Sequence, residues 1–428
     1  MTITDNSIYL PKDEMPRNWY NVLPQLPTPL GPYHTPDGQE LPPEALAAIF
    51  PPGLIEQELS DRLWHPIPEP VLEALALWRP TPLVRAFGLE KALGVTSRIY
   101  YKNESISPSG SHKSNTAMAQ AYYNKQAGLK RLATETGAGQ WGTALSIAAR
   151  HFGLDIRVYM VRVSLDQKPY RRVIMNLMGA EVLASPSQMT KAGRAALAAD
   201  PDTPGSLGLA ISEAVEEAAG RPDTNYSLGS VLNHVLLHQT VIGQEVIKQL
   251  ALADEKPDYL IACHGGGSNF GGLATPFIPA LLEGQKFKLL AAEPAACPTL
   301  TTGTFGYDYG DTARLTPLMP MYSLGPDFQP PAIHAGGLRY HGASPIVSNL
   351  LKSGLIGAET VDSAEAYKYA RIMAQSEYII PAPESSHALA LTCRKALELE
   401  QQGQPGVLVF VLSGHGLLDL SAYEKAPD

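Results

Sequence analysis

The sequence predicts an α/β protein of two doubly wound domains with mostly parallel sheets, preceded by a Pro-rich N-terminal extension. Three observations carry this. Short β-branched runs alternate with alanine-rich helical stretches, the pattern of strands covered by helices on both faces. Seven such runs in 428 residues are more than one small domain needs. Of the 37 prolines, 16 fall in the first 82 residues, where they preclude long helices and central strands.

Taken in order, residues 1–78 hold segments such as PQLPTPLGPYHTP and FPPG and are expected to wrap over the rest of the molecule. The expected strands are 98–102, 129–134, 156–161, 181–184, 258–263, 288–293 and 407–412, most followed by a helical segment. The expected domains are 112–235 on one side and 79–111 with 236–428 on the other, with the chemistry between them. Hydrophobic residues make up 44% and charged ones 18%, ordinary for a globular chain. A net charge of −9 gives no basic field for nucleic acid or an anionic bilayer. The start MTITDNSIYLPKDEMPR lacks the basic and apolar regions of a signal peptide, and no apolar run is long enough to span a membrane. The expected location is the cytosol, with small molecules and protein as partners. Cys263, Cys297 and Cys393 lie far apart without a C-x-x-C pair and read as buried thiols.

Parallel sheets place ligand loops at the carboxyl ends of their strands. Three expected strands end in unusual loops: ETGAGQWG (135–142), HGGGSNFGG (264–272) and SGHG (413–416). In HGGGSN, side-chain-free backbone lets several N–H groups converge on an anion, so the loop reads as a phosphate cup; the blander reading is a tight turn. No G-x-x-x-x-G-K-[ST] occurs, which removes the P-loop reading. GAGQWG is formally G-x-G-x-x-G, but the next strand ends at Arg162 instead of an acidic residue, and Glu135 would repel a pyrophosphate. An NADP oxidoreductase is therefore a distant alternative.

Lys113, in SPSGSHKSNTA (107–117), falls in the first turn of a helix expected from His112 to Ala127, beside the positive end of its dipole. Desolvation there disfavours the charged form and frees an amine able to form a Schiff base. With a phosphate cup elsewhere, the cofactor that joins an aldehyde to a phosphate is pyridoxal phosphate. The blander reading is a solvated first-turn lysine.

GSHKSNTA, ETGAGQWG, GGGSN, SEYIIPAPESSHAL (376–389) and LSGHG occur in an order that resembles tryptophan synthase β chains, from about Arg79 to Tyr423. Trp141, Arg339 and the long extension resemble the second, stand-alone branch of that family. The resemblance implies the fold-type-II pyridoxal phosphate architecture, a homodimer, and at most weak association with an α subunit. It implies a carbon–oxygen lyase that condenses indole with serine or O-phosphoserine to give L-tryptophan. Lys113 matches the Schiff-base lysine and Glu135 the catalytic acid. His112, Asn115, Gly265, Gly266, Gly267, Ser268 and Asn269 match the cofactor's surroundings, with Ser413 facing the pyridine nitrogen and Glu377 a carboxylate near the ring. Thr136, Gly137, Ala138, Gly139 and Gln140 match the loop that holds the substrate carboxylate. A neutral Ser at the ring nitrogen favours β-replacement over transamination. A monovalent cation near Gly266, Tyr340 and Pro381 is implied by the resemblance alone; no other metal site is expected.

Several residues depart from the family pattern. Arg339 suits a phosphate leaving group, or else pairs with a surface carboxylate. His264, Leu417 and Leu418 bring the nucleophile into question. His234 and His238 have metal-pair spacing but lack the Glu of H-E-x-x-H and read as core histidines. ESSH reads as a helix cap. The alternatives are a serine or threonine dehydratase on the same fold, and a cofactor-binding protein without turnover.

Overall fold

The computed structural model describes residues 6–331 and 333–425; the first five residues of the extension and the last three of the chain lie outside them. All seven expected strands form, and they divide between two sheets. The four-stranded sheet is wholly parallel, in the order Glu181–Ser185, Asp155–Val161, Arg131–Thr136, Thr224–Tyr226. The seven-stranded sheet runs Ser7–Ile8, Leu83–Arg85, Arg98–Asn103, Val407–Leu412, Tyr259–Cys263, Lys288–Pro294, Gly357–Val361. Leu83–Arg85 pairs antiparallel with both of its neighbours, and the remaining pairings are parallel. The run VLVFVL lies at its centre with all six residues buried, as expected for a strand covered on both faces.

Short strands escaped the sequence pattern: Leu83–Arg85 and Thr224–Tyr226 have three residues each. The antiparallel pair Thr304–Tyr309 and Leu318–Ser323 was also unforeseen. The extension does more than wrap. Its elements are short, as the prolines dictate, but Trp19, Tyr20, Val22 and Leu26 enter the same core as Ala117 and Trp141. Tyr33, Leu46 and Phe50 enter a second core with Tyr226.

His234 and His238 join the extension to the buried helix Asn233–Gln239. His234 Nδ1 meets Glu58 Oε2 at 2.5 Å. His238 Nε2 meets Gln57 Oε1 at 2.8 Å, its Nδ1 meets Thr116 Oγ1 at 3.0 Å, and its ring lies 4.5 Å from that of Trp19. Among the described residues no group of three or more His, Cys, Asp or Glu could hold a metal ion, and no helix is long and apolar enough to cross a membrane.

Candidate active site

The loops at the ends of Arg131–Thr136, Tyr259–Cys263 and Val407–Leu412 converge on Lys113. The helix begins at Ser114, so Lys113 takes the N-cap position instead of the first turn. The segment before it is stitched to the end of the central strand: His112 N–H donates to the Ser413 carbonyl at 2.9 Å, and Ser111 bridges Gly414. Lys113 stands where two cavities meet. One is lined by Glu135, Thr136, Gly137, Ala138, Gln140 and Trp141. The other is lined by His112, Cys263, Gly265–Asn269, Glu384 and Ser413. Lys113, Gln140, Ser230 and Gly337 belong to both. Beside Ser230, Val231 holds φ at 74°, a costly conformation for a β-branched residue of the kind that clusters at functional sites.

The second cavity fits a phosphate-bearing ring. Gly267 takes φ +111° to turn the strand into the helix Ser268–Ala274, whose first N–H groups have no partner within the helix. A Cβ on Gly266 would lie 2.5 Å from Ser230 Oγ, so only bare backbone lines the cup there. His112 is pushed down to about 3, by burial first and by the neighbouring Lys113 charge second, and stays neutral. Its Nε2 lies 3.4 Å from Ser268 Oγ. Burial lowers the Lys113 amine to about 8 against the pull of Glu135 and Glu384; Nζ donates to the Gly229 carbonyl at 3.0 Å.

Beside the first cavity, and not on its lining, Gly139 takes φ +90° as N-cap of Gln140–Phe152, whose start can face an anion. Burial raises the Glu135 carboxyl to about 7, although the Tyr226 hydroxyl donates to it at 2.7 Å. Tyr226 also lines a small apolar cavity with Phe50, Ile211 and Leu228. The Trp141 indole N–H donates to Thr134 Oγ1 at 2.7 Å while its ring covers Gly229, next to the carbonyl that receives Lys113.

A family model described as pyridoxal-phosphate dependent enzyme matches residues 75–414. The curated tryptophan synthase beta chain 2 of Thermotoga maritima is 58% identical over 97% of this chain and 99% of its own length. The chain belongs to the tryptophan synthase β chain family. The beta chain 2 proteins of Aquifex aeolicus and Methanosarcina acetivorans are 56% and 53% identical, over 97% and 99% of this chain and 97% of each relative. A crystal structure of a fungal L-serine ammonia-lyase from Rhizomucor miehei superposes with a TM-score of 0.59 at 18% identity, covering 81% of this chain and 96% of that one, which supports the fold alone.

Within this β chain, some expected residues lie elsewhere. Both ends of the Asn115 amide face away from the cup: Oδ1 accepts from Arg79 Nη1 at 2.9 Å, and Nδ2 donates to Glu104 and Gln239 at 3.1 and 2.9 Å. Asn115 is thus part of a buried charge network and lines neither cavity. Glu377 is displaced from the site too, because its Oε1 accepts from Leu89 N at 2.7 Å at the start of another helix. The carboxylate that lines the cavity is Glu384, held by Gln140 Nε2 and Gly337 N, both at 2.9 Å. ESSH is no cap, since Ala382 is the N-cap and makes no side-chain capping bond.

Arg339 lies two residues past the lining Gly337, 8% exposed; Nη2 donates to the Pro330 carbonyl at 3.0 Å and Nε has no partner among the described residues. Among the described residues it pairs with no carboxylate, contrary to the blander reading. His264 is buried behind the cup, 3.8 Å from Glu293 Oε1, with neither ring nitrogen hydrogen-bonded. Leu417 is 60% exposed and neither it nor Leu418 lines either cavity. The carbonyls named for a monovalent cation each accept from protein: Gly266 from Ser344 N, Tyr340 from Cys297 and Thr299, Pro381 from the Tyr423 hydroxyl.

Proposed function

We propose that the chain condenses indole with serine or O-phosphoserine to give L-tryptophan, with pyridoxal phosphate bound at Lys113. The carrying observation is the position of the Lys113 amine between the glycine cup and Glu135. When bound, the cofactor supplies an aldehyde that captures the substrate amine and a ring that withdraws electrons from Cα. Gly265–Asn269 would hold its phosphate, and Ser413, on the lining of the same cavity, would meet its ring nitrogen. Thr136–Gln140 hold the substrate carboxylate, which fixes the Cα–H bond toward the Lys113 amine. That amine, lowered to about 8, takes the Cα proton and later returns it. Glu135, raised to about 7, donates a proton to the departing β substituent and then accepts the ring proton of indole.

Incubation of the holoprotein with indole and either donor, followed by mass analysis, should yield tryptophan. Pyruvate and ammonia without tryptophan would instead mark a dehydratase. Arg339, which has no carboxylate partner among the described residues, supports O-phosphoserine as a donor beside serine; equal rates with both donors, unaffected by Arg339→Ala, would end that part of the reading. A cytosolic homodimer with weak α-subunit association completes the proposal, and sedimentation with and without an α subunit tests it.

A further inference from the structure

We propose that Ser385 and Cys263 together fix the Ser413 hydroxyl as a hydrogen-bond donor into the cofactor cavity, and so keep the ring nitrogen opposite it unprotonated. The inference rests on the reading that Ser413 faces that nitrogen. Ser413 follows the strand Val407–Leu412, and Ser385 sits in the first turn of the helix Pro383–Gln401, with their oxygens 2.7 Å apart. Either could donate across that distance; their neighbours decide.

Gly414 N–H donates to Ser385 Oγ at 3.0 Å, which uses a lone pair there. The Ser385 proton then has two destinations, Ser413 Oγ at 2.7 Å or the Gly414 carbonyl at 3.2 Å. That carbonyl already accepts Ala382 N–H at 2.9 Å, and the longer distance lies beyond the range of about 2.5–3.0 Å in which hydroxyl bonds to oxygen are found. The proton therefore lies on the line to Ser413. On the other side, Cys263 Sγ is 3.5 Å from Ser413 Oγ and accepts from Asn269 Nδ2 at 3.2 Å. With the sulfur already accepting from Asn269, the thiol proton is directed to Ser413 Oγ, and burial, which pushes the thiol up to about 11, keeps that proton in place.

A hydroxyl has two lone pairs and one proton. With donors on both lone pairs, Ser413 has only its proton to offer the cavity it lines. A protonated ring nitrogen would oppose N–H to O–H in a buried site, which is costly. Ser385 acts through Ser413 and is a positioning residue.

The test is the nitrogen-15 NMR shift of holoenzyme reconstituted with cofactor labelled at the ring nitrogen. The unaltered protein should show the unprotonated position. Ser385→Ala should move the signal toward the protonated one, Cys263→Ala should move it less, and Ser385→Thr, which keeps the hydroxyl, should restore it. If Ser385→Ala does not fold, Ser385→Cys, a weaker donor, should give a smaller shift in the same direction. A signal that Ser413→Ala moves but the Ser385 and Cys263 variants do not overturns the relay alone. A signal that even Ser413→Ala leaves in place overturns the placement of Ser413 and the relay with it.

Discussion

Lys113 and Asn115 are two residues apart, yet they belong to opposite electrostatic regimes. Asn115 joins a fully buried set in which Arg79 grips Glu104 and Glu245 at 2.8 and 2.9 Å and Lys102 reaches Glu245 at 2.7 Å. There burial would raise Glu104, but the charges of Arg79 and Lys102 outweigh it and hold the carboxyl at about 2. Around Lys113, burial wins: the amine falls to about 8, His112 to about 3, and Glu135 rises to about 7. The difference is pairing. In the first set Arg79 and Glu104 hold one another charged, although burial still pulls Lys102 down. In the second, compensation is incomplete, so each group is pushed toward its neutral form, and Lys113 and Glu135 can exchange protons near neutral pH.

The widest separation should come from Lys113→Met, which is expected to cut turnover by on the order of 10⁴-fold while leaving the melting temperature unchanged or raised. Steady-state kinetics beside calorimetry measures both, and lost folding would erase the contrast. Glu245→Gln should do the reverse, costing about 3–5 kcal/mol in denaturant unfolding because it strands buried cations. A loss near zero there would mean that the network is not a structural one. Glu135→Gln should lower kcat by about 10²-fold with little change in stability.

The smallest effect is in pH. Glu104 binds fewer protons folded than unfolded between about 2 and 4.5, so its contribution is present above 4.5 and lost as pH falls through that window. Glu135 binds more when folded between 4.5 and about 7, so its contribution is full below 4.5 and lost as pH rises through 7. Lys113 binds fewer when folded between about 8 and 10.5, so stability from this group climbs with pH there. Urea midpoints of the cofactor-free protein and of Glu135→Gln, taken across pH 4 to 8, should diverge with the wild type losing ground toward pH 7. Parallel curves would place Glu135 with the compensated charges.

The long strands were legible because β-branched runs such as VLVFVL and IRVYMV can hardly be anything else between turn residues. Strands of three residues, such as Thr224–Tyr226, are too short to show a period, and so Tyr226 and its bond to Glu135 went unseen. The glycine loops announced themselves by composition. What spacing does not encode is the direction of a side chain within one helical turn. Asn115 follows Lys113 closely but faces Glu104, and SEYIIPAPESSHAL holds two acidic residues of which only Glu384 turns to the cavity. The sequence suggests ESSH as a helix cap where the structure puts it inside the first turn, and that Ser385 reaches another strand's end is a tertiary fact.

The fusion of the Pro-rich segment with the interior has a practical corollary for anyone handling the gene. Trimming the first sixty codons would remove the indole that shelters His238 and the carboxylate that grips His234, both on the helix packed beside the one that follows Lys113. A shortened product should be recovered as inclusion bodies, and affinity handles belong at the other terminus.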